Sequence, residues 1–222
     1  MIVGDLHGGL TALKYRTARL HLSLILQCGD FGFWPNQGMR LPKTGFRDVD
    51  GNVVPMHFCD GNHENHPRLL ELARDGDFEI GWGIFYQPRG SVLTLPDGRT
   101  VLFAGGAASI DKAVRTEGVD WFPEEILTKE EFRNQFPKMD RVDIVISHTV
   151  PESVVLPPML DKTFYDPSRV ILEAVLQKYR PAMWFCGHFH LPFTQKLLDG
   201  ECILVALGCA PEQGGAVLLD DF

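Results

Sequence analysis

Short runs of apolar residues alternate along the chain with segments of helical periodicity, which indicates a mixed α/β protein. Asp-Gly pairs at 50–51, 97–98 and 199–200 separate flanking apolar runs. This pair supplies the positive-φ residues that a tight hairpin turn needs, so we expect antiparallel strands at these three points. The nine predicted strands are residues 23–28, 53–59, 91–95, 100–104, 142–147, 182–186, 194–198, 202–207 and 216–219.

The pattern predicts fewer helices than strands. Residues 10–20 and 68–74 have helical spacing and follow polar loops. The segment that begins Thr128-Lys129-Glu130-Glu131 has the form of a capping box, which predicts a helix that extends toward Phe136. Asp166 and Pro167 are suited to the N-cap and first position of a helix that ends near Tyr179. The length of 222 residues suits one domain over residues 1–222.

The composition excludes several classes of protein. With 45% hydrophobic and 23% charged residues, the chain resembles an ordinary soluble globular protein. Its formal net charge of −8 disfavours a long nucleic-acid partner, because such binding needs Lys and Arg to replace counterions on the phosphates. No apolar run reaches the about 18 residues of a membrane span, and no signal peptide is recognisable. We therefore expect a cytoplasmic protein without a membrane partner, and the sequence leaves its oligomeric state open.

The cysteines give no functional signal in the sequence. No Cys-x-x-Cys pair is present, and four of the five lie in or beside predicted strands. We therefore expect reduced and mostly buried thiols, and no spacing supports a thiol-based function. The cysteines are Cys28, Cys59, Cys186, Cys202 and Cys209.

Five of the eight histidines occur in polar clusters that directly follow apolar runs. Side chains at strand ends can converge at one edge of a sheet, and i, i+2 spacing directs two side chains to the same face. The clusters offer carboxylate, amide and imidazole groups without a thiolate, a set that suits Mn²⁺, Fe²⁺, Zn²⁺ or Ni²⁺ rather than Ca²⁺. They are Asp5-Leu6-His7, Gly29-Asp30, Gly61-Asn62-His63-Glu64, Ser147-His148 and Gly187-His188-Phe189-His190.

The order of these motifs, D-x-H, G-D, G-N-H-E, H and G-H-x-H, resembles that of the calcineurin-like metallophosphoesterase family. The motifs extend from Asp5 to His190 and therefore cover most of the chain. A looser resemblance is to the phosphoesterases of bacteriophages and prophages. The resemblance implies an α/β (α+β) fold in which helices flank a sandwich of two mixed β-sheets.

The resemblance also implies a dinuclear metal centre, with Mn²⁺ as the first choice and Fe, Zn or Ni as alternatives. Two metals about 3.5–4 Å apart can clamp a phosphoryl group while a bridging hydroxide attacks phosphorus in line. His63 would face the substrate and assist the leaving oxygen, and Glu64 would hydrogen-bond a ligand or an adjacent loop. Carried over motif by motif, the first-metal ligands are Asp5, His7 and His190, the second-metal ligands are Asn62, His148 and His188, and Asp30 bridges both.

One departure from the family bears on the substrate. Phosphoprotein phosphatases of this family extend the second motif to G-D-x-x-D-R-G, in which the Asp orients the histidine of G-N-H and the Arg holds phosphate. Phe33 and Trp34 occupy those two positions here, which puts the acid role of His63 in doubt. Without an Arg to clamp a dianionic monoester, we expect a small diester. Both rings can stack on a nucleobase, which favours a nucleotide-type diester, cyclic nucleotides included; simple burial of the rings is the alternative.

Other functions remain open on the same motifs. The site would also suit a phosphomonoesterase, a protein phosphatase or a dinucleotide polyphosphate hydrolase. Some relatives with a degraded metal site serve as interaction scaffolds, but all seven matched ligand positions are chemically competent here. A DNA-end nuclease would be expected to show a basic groove. Four loop cations are candidates for contact with the phosphate of a small ester: Arg40, Lys43, Arg89 and Arg115.

Overall fold

The computed structural model describes residues 1–34, 44–160, 163–209 and 214–221. Its α-helices are α1 (Leu10–Thr17), α2 (His66–Asp75), α3 (Lys129–Asn134) and α4 (Pro167–Tyr179). Its strands are β1 (Ile2–Val3), β2 (Ile25–Gln27), β3 (Phe46–Arg47), β4 (Val53–Val54), β5 (Met56–Phe58), β6 (Glu79–Gly81), β7 (Ile84–Tyr86), β8 (Val92–Thr94), β9 (Thr100–Ala104), β10 (Ile144–Ser147), β11 (Met183–Cys186), β12 (Phe193–Leu197), β13 (Cys202–Ala206) and β14 (Ala216–Val217).

The fold contains two six-stranded mixed sheets with the same arrangement of parallel and antiparallel strands. The first has the order β14-β1-β2-β5-β7-β6, and the second has the order β12-β13-β11-β10-β9-β8. In each sheet the four central strands are parallel, whereas both edge strands are antiparallel to their neighbours. The carboxyl ends of the central strands therefore meet at one edge of each sheet, where the polar clusters follow.

The two sheets pack face to face, and helices cover their outer faces. Between the sheets, Ile2 and Leu26 belong to one buried cluster with Phe103 and Phe185. Helices α1 and α2 pack on the outside of the first sheet, and α3 and α4 pack on the outside of the second. Burial of each of the four side chains between the sheets contributes about 1.5–3 kcal/mol to the stability of the fold. The predicted two-sheet sandwich flanked by helices is confirmed.

The three Asp-Gly pairs lie at antiparallel connections, as predicted. They follow β3, β8 and β12, whose partners are β4, β9 and β13. Gly51, Gly98 and Gly200 have φ values of 81°, 90° and 97°. Glycine adopts this conformation without the steric strain that a side chain would add.

The two helix starts predicted from capping residues are also present. The Thr128 side chain accepts a hydrogen bond from the Glu131 backbone N–H, and the Glu131 carboxylate accepts one from the Thr128 N–H. Asp166 caps α4 by accepting from the Ser168 N–H, with Pro167 in the first turn. Such caps are worth about 1 kcal/mol each. None of the helices in the described ranges is both long and apolar enough to cross a membrane.

One strand prediction was wrong, and several short strands were not predicted. The predicted strand 53–59 divides at Pro55: β4 forms a small hairpin with β3, whereas β5 joins the first sheet. Proline lacks the N–H that a continuous strand would use. Strands β3, β6 and β7 were not predicted, because each has only two or three residues. Helix α1 also ends at Thr17, three residues before its predicted end.

Candidate metal centre

Seven candidate ligands converge at the carboxyl-end edge of both sheets. The first sheet supplies residues that follow β1, β2 and β5, and the second supplies residues that follow β10 and β11. Residues 183 positions apart in the chain come into direct contact there: the Asp5 carboxylate accepts hydrogen bonds of 2.9 and 3.1 Å from the His188 N–H. The converging residues are Asp5, His7, Asp30, Asn62, His148, His188 and His190.

The first group consists of Asp5, His7 and His190. The Nε2 atom of His190 lies 2.9 Å from Asp5 Oδ2 and 3.0 Å from His7 Nε2. The distance between His7 Nε2 and Asp5 Oδ2 is 3.9 Å. Ligand atoms that lie about 2.1 Å from one ion are about 3–3.5 Å from one another. These three side chains can therefore bind a single divalent ion with small adjustments.

The second group consists of Asn62, His148 and His188. Asn62 Oδ1 lies 3.0 Å from His148 Nε2 and 3.0 Å from His188 Nδ1. The two histidines thus present different ring nitrogens toward the same point. Burial and the neighbouring His148 lower the pKa of His188 to about 3, which keeps its imidazole in the neutral, metal-binding form.

Asp30 lies between the two groups. Its Oδ2 atom is 3.7 Å from His7 Nε2 and 3.4 Å from His148 Nε2. Its Oδ1 atom accepts a 2.8 Å hydrogen bond from the backbone N–H of His63. One carboxylate oxygen therefore faces both groups, which is the position that a bridging ligand needs.

The donor chemistry of the cluster fits divalent cations. His148 Nδ1 lies 2.8 Å from the Cys28 carbonyl oxygen, so this nitrogen donates its proton there and Nε2 faces the cluster. Nε2 lies near oxygens of Asn62 and Asp30, which are themselves acceptors. Burial would lower the pKa of His148, but the carboxylates of Asp30 and Asp5 raise it to about 10, so Nε2 carries a proton at neutral pH. The cluster thus demands positive charge at its centre, which bound metal ions supply.

Four of the proposed ligands have a left-handed backbone conformation. The φ values are 43° for His7, 50° for Asp30, 71° for His188 and 52° for His190. Such conformations cost of order 1–3 kcal/mol each for residues other than glycine, and they concentrate at functional sites. Here the sharp turn directly after each strand directs the side chain back toward the shared edge.

Glycines allow the backbone to approach both carboxylates. A Cβ atom on Gly187 would overlap Asp5 Oδ1, and one on Gly61 would overlap Asp30 Oδ1. Both glycines belong to the motifs that carry the ligands. Their role is therefore to leave space for the carboxylates rather than to provide flexibility.

Glu64 fixes the loop that carries Asp30. Its two carboxylate oxygens accept hydrogen bonds of 2.6 Å from the Phe31 N–H and 2.7 Å from the Phe33 N–H. The side chain is buried, which raises its pKa well above the usual range, and the charge of Asp30 acts in the same direction. Of the two roles expected for Glu64, its hydrogen bonds correspond to the contact with an adjacent loop.

Two residues that the sequence did not reveal orient Asn62. The Ser109 Oγ atom accepts a 3.1 Å hydrogen bond from the Asn62 amide nitrogen and donates a 2.6 Å bond to Glu125 Oε2. Glu125 also accepts from the Ser109 N–H at 2.7 Å. Because the amide nitrogen is held by Ser109, Asn62 Oδ1 points to the centre of the cluster. The sequence singles out neither residue, because neither lies in a motif with metal-ligand spacing.

The ring of His63 lies beside the first group of ligands. The ring centroids of His63 and His7 are 5.4 Å apart in an edge-on arrangement. Burial lowers the pKa of His63, whereas the charge of Asp30 opposes that change. Among the residues that the structure describes, none forms a hydrogen bond with the His63 ring. This is consistent with the replacement of the orienting Asp by Phe33.

Phe33 and Trp34 have different surroundings. Phe33 is half-buried against the apolar cluster beneath the first sheet. The Trp34 ring lies over Gly8, where an added Cβ would be 3.3 Å from ring atom Cη2. Trp34 therefore covers the backbone next to His7, whereas Phe33 contributes mainly to the core.

The structure distinguishes the four candidate cations. Arg40 and Lys43 lie outside the described residues. Arg89 is 7% exposed and forms ion pairs with Asp60 at 2.6 Å and Glu131 at 2.9 Å. The idea that Arg89 contacts phosphate is therefore wrong, because its charge is buried and already neutralised.

Arg115 lies beside the cluster but is held by protein groups. Its guanidinium donates to Ser109 Oγ at 2.7 Å and to the Asp120 carbonyl oxygen, and it lies 3.6 Å from Asp111 Oδ1. A longer contact of 3.5 Å joins it to the Asn62 carbonyl oxygen. Arg115 thus supports the loop that orients Asn62.

The chain matches the family model of the calcineurin-like phosphoesterases over residues 1–192. It therefore belongs to the calcineurin-like phosphoesterase family and is a metal-dependent phosphoric ester hydrolase, for which the family implies a dinuclear divalent centre. No curated protein shows significant similarity to the chain.

Proposed function

We propose that the chain hydrolyses small phosphodiesters of the nucleotide type, with cyclic nucleotides among its substrates. The observation that carries this proposal is the environment of Arg115, a cation that lies next to Asn62. Its charge is engaged by Asp111, Ser109 and the Asp120 carbonyl. A dianionic monoester favours a free guanidinium clamp, whereas the singly charged phosphate of a diester needs none.

The residues have separate roles in this reaction. When bound, two divalent ions would polarise the phosphoryl oxygens and increase the acidity of water. Asp5, His7 and His190 would hold the first ion, and Asp30 would contact both. His63 faces the same space and can donate a hydrogen bond to the leaving oxygen. Asn62, His148 and His188 would hold the second ion.

The local charge favours a small anion over a polyanion. Two divalent ions outweigh the carboxylates of Asp5 and Asp30, so a phosphate ester is attracted to the centre. The chain as a whole has a formal net charge of −8 and repels long polyanions. A short nucleotide satisfies both conditions.

Trp34 supplies a surface for the base of such a nucleotide. Its ring covers Gly8, directly after the proposed ligand His7, and remains partly exposed. Stacking of a base on an aromatic ring is worth about 1–3 kcal/mol. A base stacked on Trp34 would therefore lie next to the first metal.

A substrate panel after Mn²⁺ reconstitution tests the proposal. It contains a bis(aryl) phosphate, an aryl phosphate, 2′,3′- and 3′,5′-cyclic nucleotides and a dinucleotide polyphosphate. We expect higher kcat/KM for the diesters than for the aryl phosphate. Preference for the monoester or the polyphosphate would contradict the diester assignment, and no metal-dependent turnover of any substrate would overturn the proposed function.

A variant pair tests the stacking role. Trp34→Ala should raise KM for cyclic nucleotides and leave KM for the bis(aryl) phosphate less affected. Trp82→Ala is the matched control, because Trp82 is 57% exposed on the turn between β6 and β7. Unchanged nucleotide KM in Trp34→Ala would refute the stacking role without affecting the metal centre.

A further inference from the structure

Strand β13 ends at the same edge as the metal centre. It is the parallel neighbour of β11, and the register pairs Cys186 with Ala206. Beyond the strands, the Leu207 N–H donates a 2.8 Å hydrogen bond to the Cys186 carbonyl, so the two segments remain side by side. The chain after β11 carries His188 and His190, and the chain after β13 carries Cys209.

The backbone around Cys209 is also held against the first sheet. The Gly208 N–H donates to the Gly214 carbonyl at 3.3 Å, and the Gly4 N–H donates to the Gly215 carbonyl at 2.8 Å. Gly4 and Gly208 approach so closely that a Cβ on Gly4 would overlap the Gly208 carbonyl oxygen. These contacts place Cys209 beside the loop that begins with Asp5.

The thiol of Cys209 reaches the first group of ligands. The Sγ atom and the ligand nitrogens of His7 and His190 all lie within 4.8 Å of one another. All five cysteines are free thiols. Cys209 is partly exposed, whereas the other four are buried, as predicted for them from the sequence. It lies beyond residue 192, where the match to the family model ends.

We propose that Cys209 is an additional ligand of the first metal, which gives that site a thiolate in addition to Asp5, His7, Asp30 and His190. The inference rests on the dinuclear centre of the proposed function. A nitrogen and a thiolate sulfur that bind one ion at about 2.1 and 2.3 Å are about 3.5 Å apart, so a small side-chain rotation is sufficient. The S–H proton passes to solvent as the metal–sulfur bond forms.

The consequence is a difference between the two metal sites. Thiolate ligands favour thiophilic ions such as Zn²⁺ and Fe²⁺ over Mn²⁺. The second group has only nitrogen and oxygen donors, from Asn62, His148, His188 and the shared Asp30. The first site should therefore prefer Zn²⁺ or Fe²⁺ even where Mn²⁺ occupies the second, which revises the expectation of a thiolate-free centre with Mn²⁺ as first choice.

Cobalt spectroscopy of the full-length chain tests the assignment. Co²⁺ added without oxygen should give visible d–d bands together with a near-ultraviolet thiolate-to-cobalt charge-transfer band. In Cys209→Ser the d–d bands should persist and the charge-transfer band should be lost. Cys202→Ala is the matched control, because Cys202 is a buried cysteine of β13 and should leave the charge-transfer band intact.

Metal competition provides a second readout. Loss of a residue that only supports a ligand already weakens metal binding by about 10–100-fold. Cys209→Ser should therefore weaken Zn²⁺ binding at the first site by at least about tenfold and reduce its preference for Zn²⁺ over Mn²⁺. The charge-transfer band of the wild type tests whether a thiolate binds the metal, even if Cys209→Ser does not fold.

The outcomes separate the two proposals. Wild-type d–d bands without a charge-transfer band would overturn the role of Cys209 and leave the dinuclear centre standing. A charge-transfer band that survives in Cys209→Ser, or disappears in Cys202→Ala, would also overturn it. Failure to bind Co²⁺ at all would overturn both the Cys209 assignment and the proposed metal-dependent function.

Discussion

Arg89→Met should destabilise the fold strongly while leaving the metal ligands in place. The Arg89 guanidinium forms ion pairs with Asp60 and Glu131. It also donates hydrogen bonds of 2.8–3.1 Å to three backbone carbonyls in the segment that precedes α3, those of Glu124, Glu125 and Ile126. One side chain thus connects the end of β5 to that segment.

The expected loss of stability in Arg89→Met follows from the burial of Asp60, the ion-pair partner of Arg89. Asp60 is 1% exposed, and its other side-chain partner is the Tyr86 hydroxyl at 3.2 Å. Methionine preserves much of the apolar stem of Arg89 but removes the charge. Removing one member of a buried ion pair leaves an uncompensated charge and costs about 3–5 kcal/mol. That is a large part of the about 5–15 kcal/mol that stabilises a typical domain.

Removal of the Arg89 charge should also change the pH dependence of stability. In the wild type, burial opposes ionisation of Asp60, but Arg89 lowers the pKa of its carboxyl below the usual value. Ionised Asp60 therefore stabilises the folded state at pH values above its unfolded-state pKa. This stabilisation is lost as the pH falls through the folded-state pKa. Without Arg89 the largest pKa-lowering influence is gone, so burial dominates and the pKa of Asp60 rises. The folded variant then holds a proton that its unfolded state releases, so the variant loses stability as pH increases. The difference from wild type should therefore be larger at neutral pH than in acid.

Urea unfolding at neutral and acidic pH measures these effects. Asp60→Asn and the double variant complete a cycle in which the double variant should be less destabilised than the sum of the single ones. Arg74→Met is the control, because the exposed pair of Arg74 with Asp75 should change stability by no more than about 0.5 kcal/mol. An additive cycle, or a loss below about 1 kcal/mol in Arg89→Met, would refute the reasoning.

Three further changes have defined outcomes. Ser109→Ala should free the amide of Asn62 and weaken the second metal site by about 10–100-fold in calorimetric titration with Mn²⁺; unchanged affinity would exclude the orienting role. Gly187→Ala should displace the Asp5 carboxylate, so that the same titration shows loss of the first ion; two ions bound as in wild type would contradict this. Burial lowers the pKa of His66 to about 4 from 6.5, so the unfolded chain binds a proton that the folded one does not, and stability falls as pH decreases through this range. The shift corresponds to about 3 kcal/mol, and His66→Phe should flatten that slope in urea unfolding, whereas an unchanged slope would assign it to other groups.

The positions of the proposed ligands could be predicted from the sequence because each ligand motif follows an apolar run. A polar residue that directly follows a strand-like apolar run lies at the end of that strand, and parallel strands end at the same edge. Asp5, Asp30 and His148 all follow this rule, and the structure places them together. The hairpins were equally accessible, because the conformation of an Asp-Gly turn is local.

The parts that were not predicted depend on contacts between distant segments. Ser109 and Glu125 are ordinary polar residues until the fold brings them to Asn62. Arg89 resembled a surface cation because its partners are remote in sequence. Cys209 has no neighbouring cysteine or histidine along the chain, so its proximity to His190 emerges only from the pairing of β13 with β11.

Both metal groups draw ligands from both sheets: the first combines Asp5 with His190, and the second combines Asn62 with His148. An ion in either group therefore ties the two halves of the sandwich together, and its binding free energy adds to their docking, by about 2.7 kcal/mol at a free concentration one hundred times Kd. During synthesis, neither group is complete until His188 and His190 have left the ribosome. The complete ligand set of both groups therefore exists only after residue 190 has emerged from the ribosome.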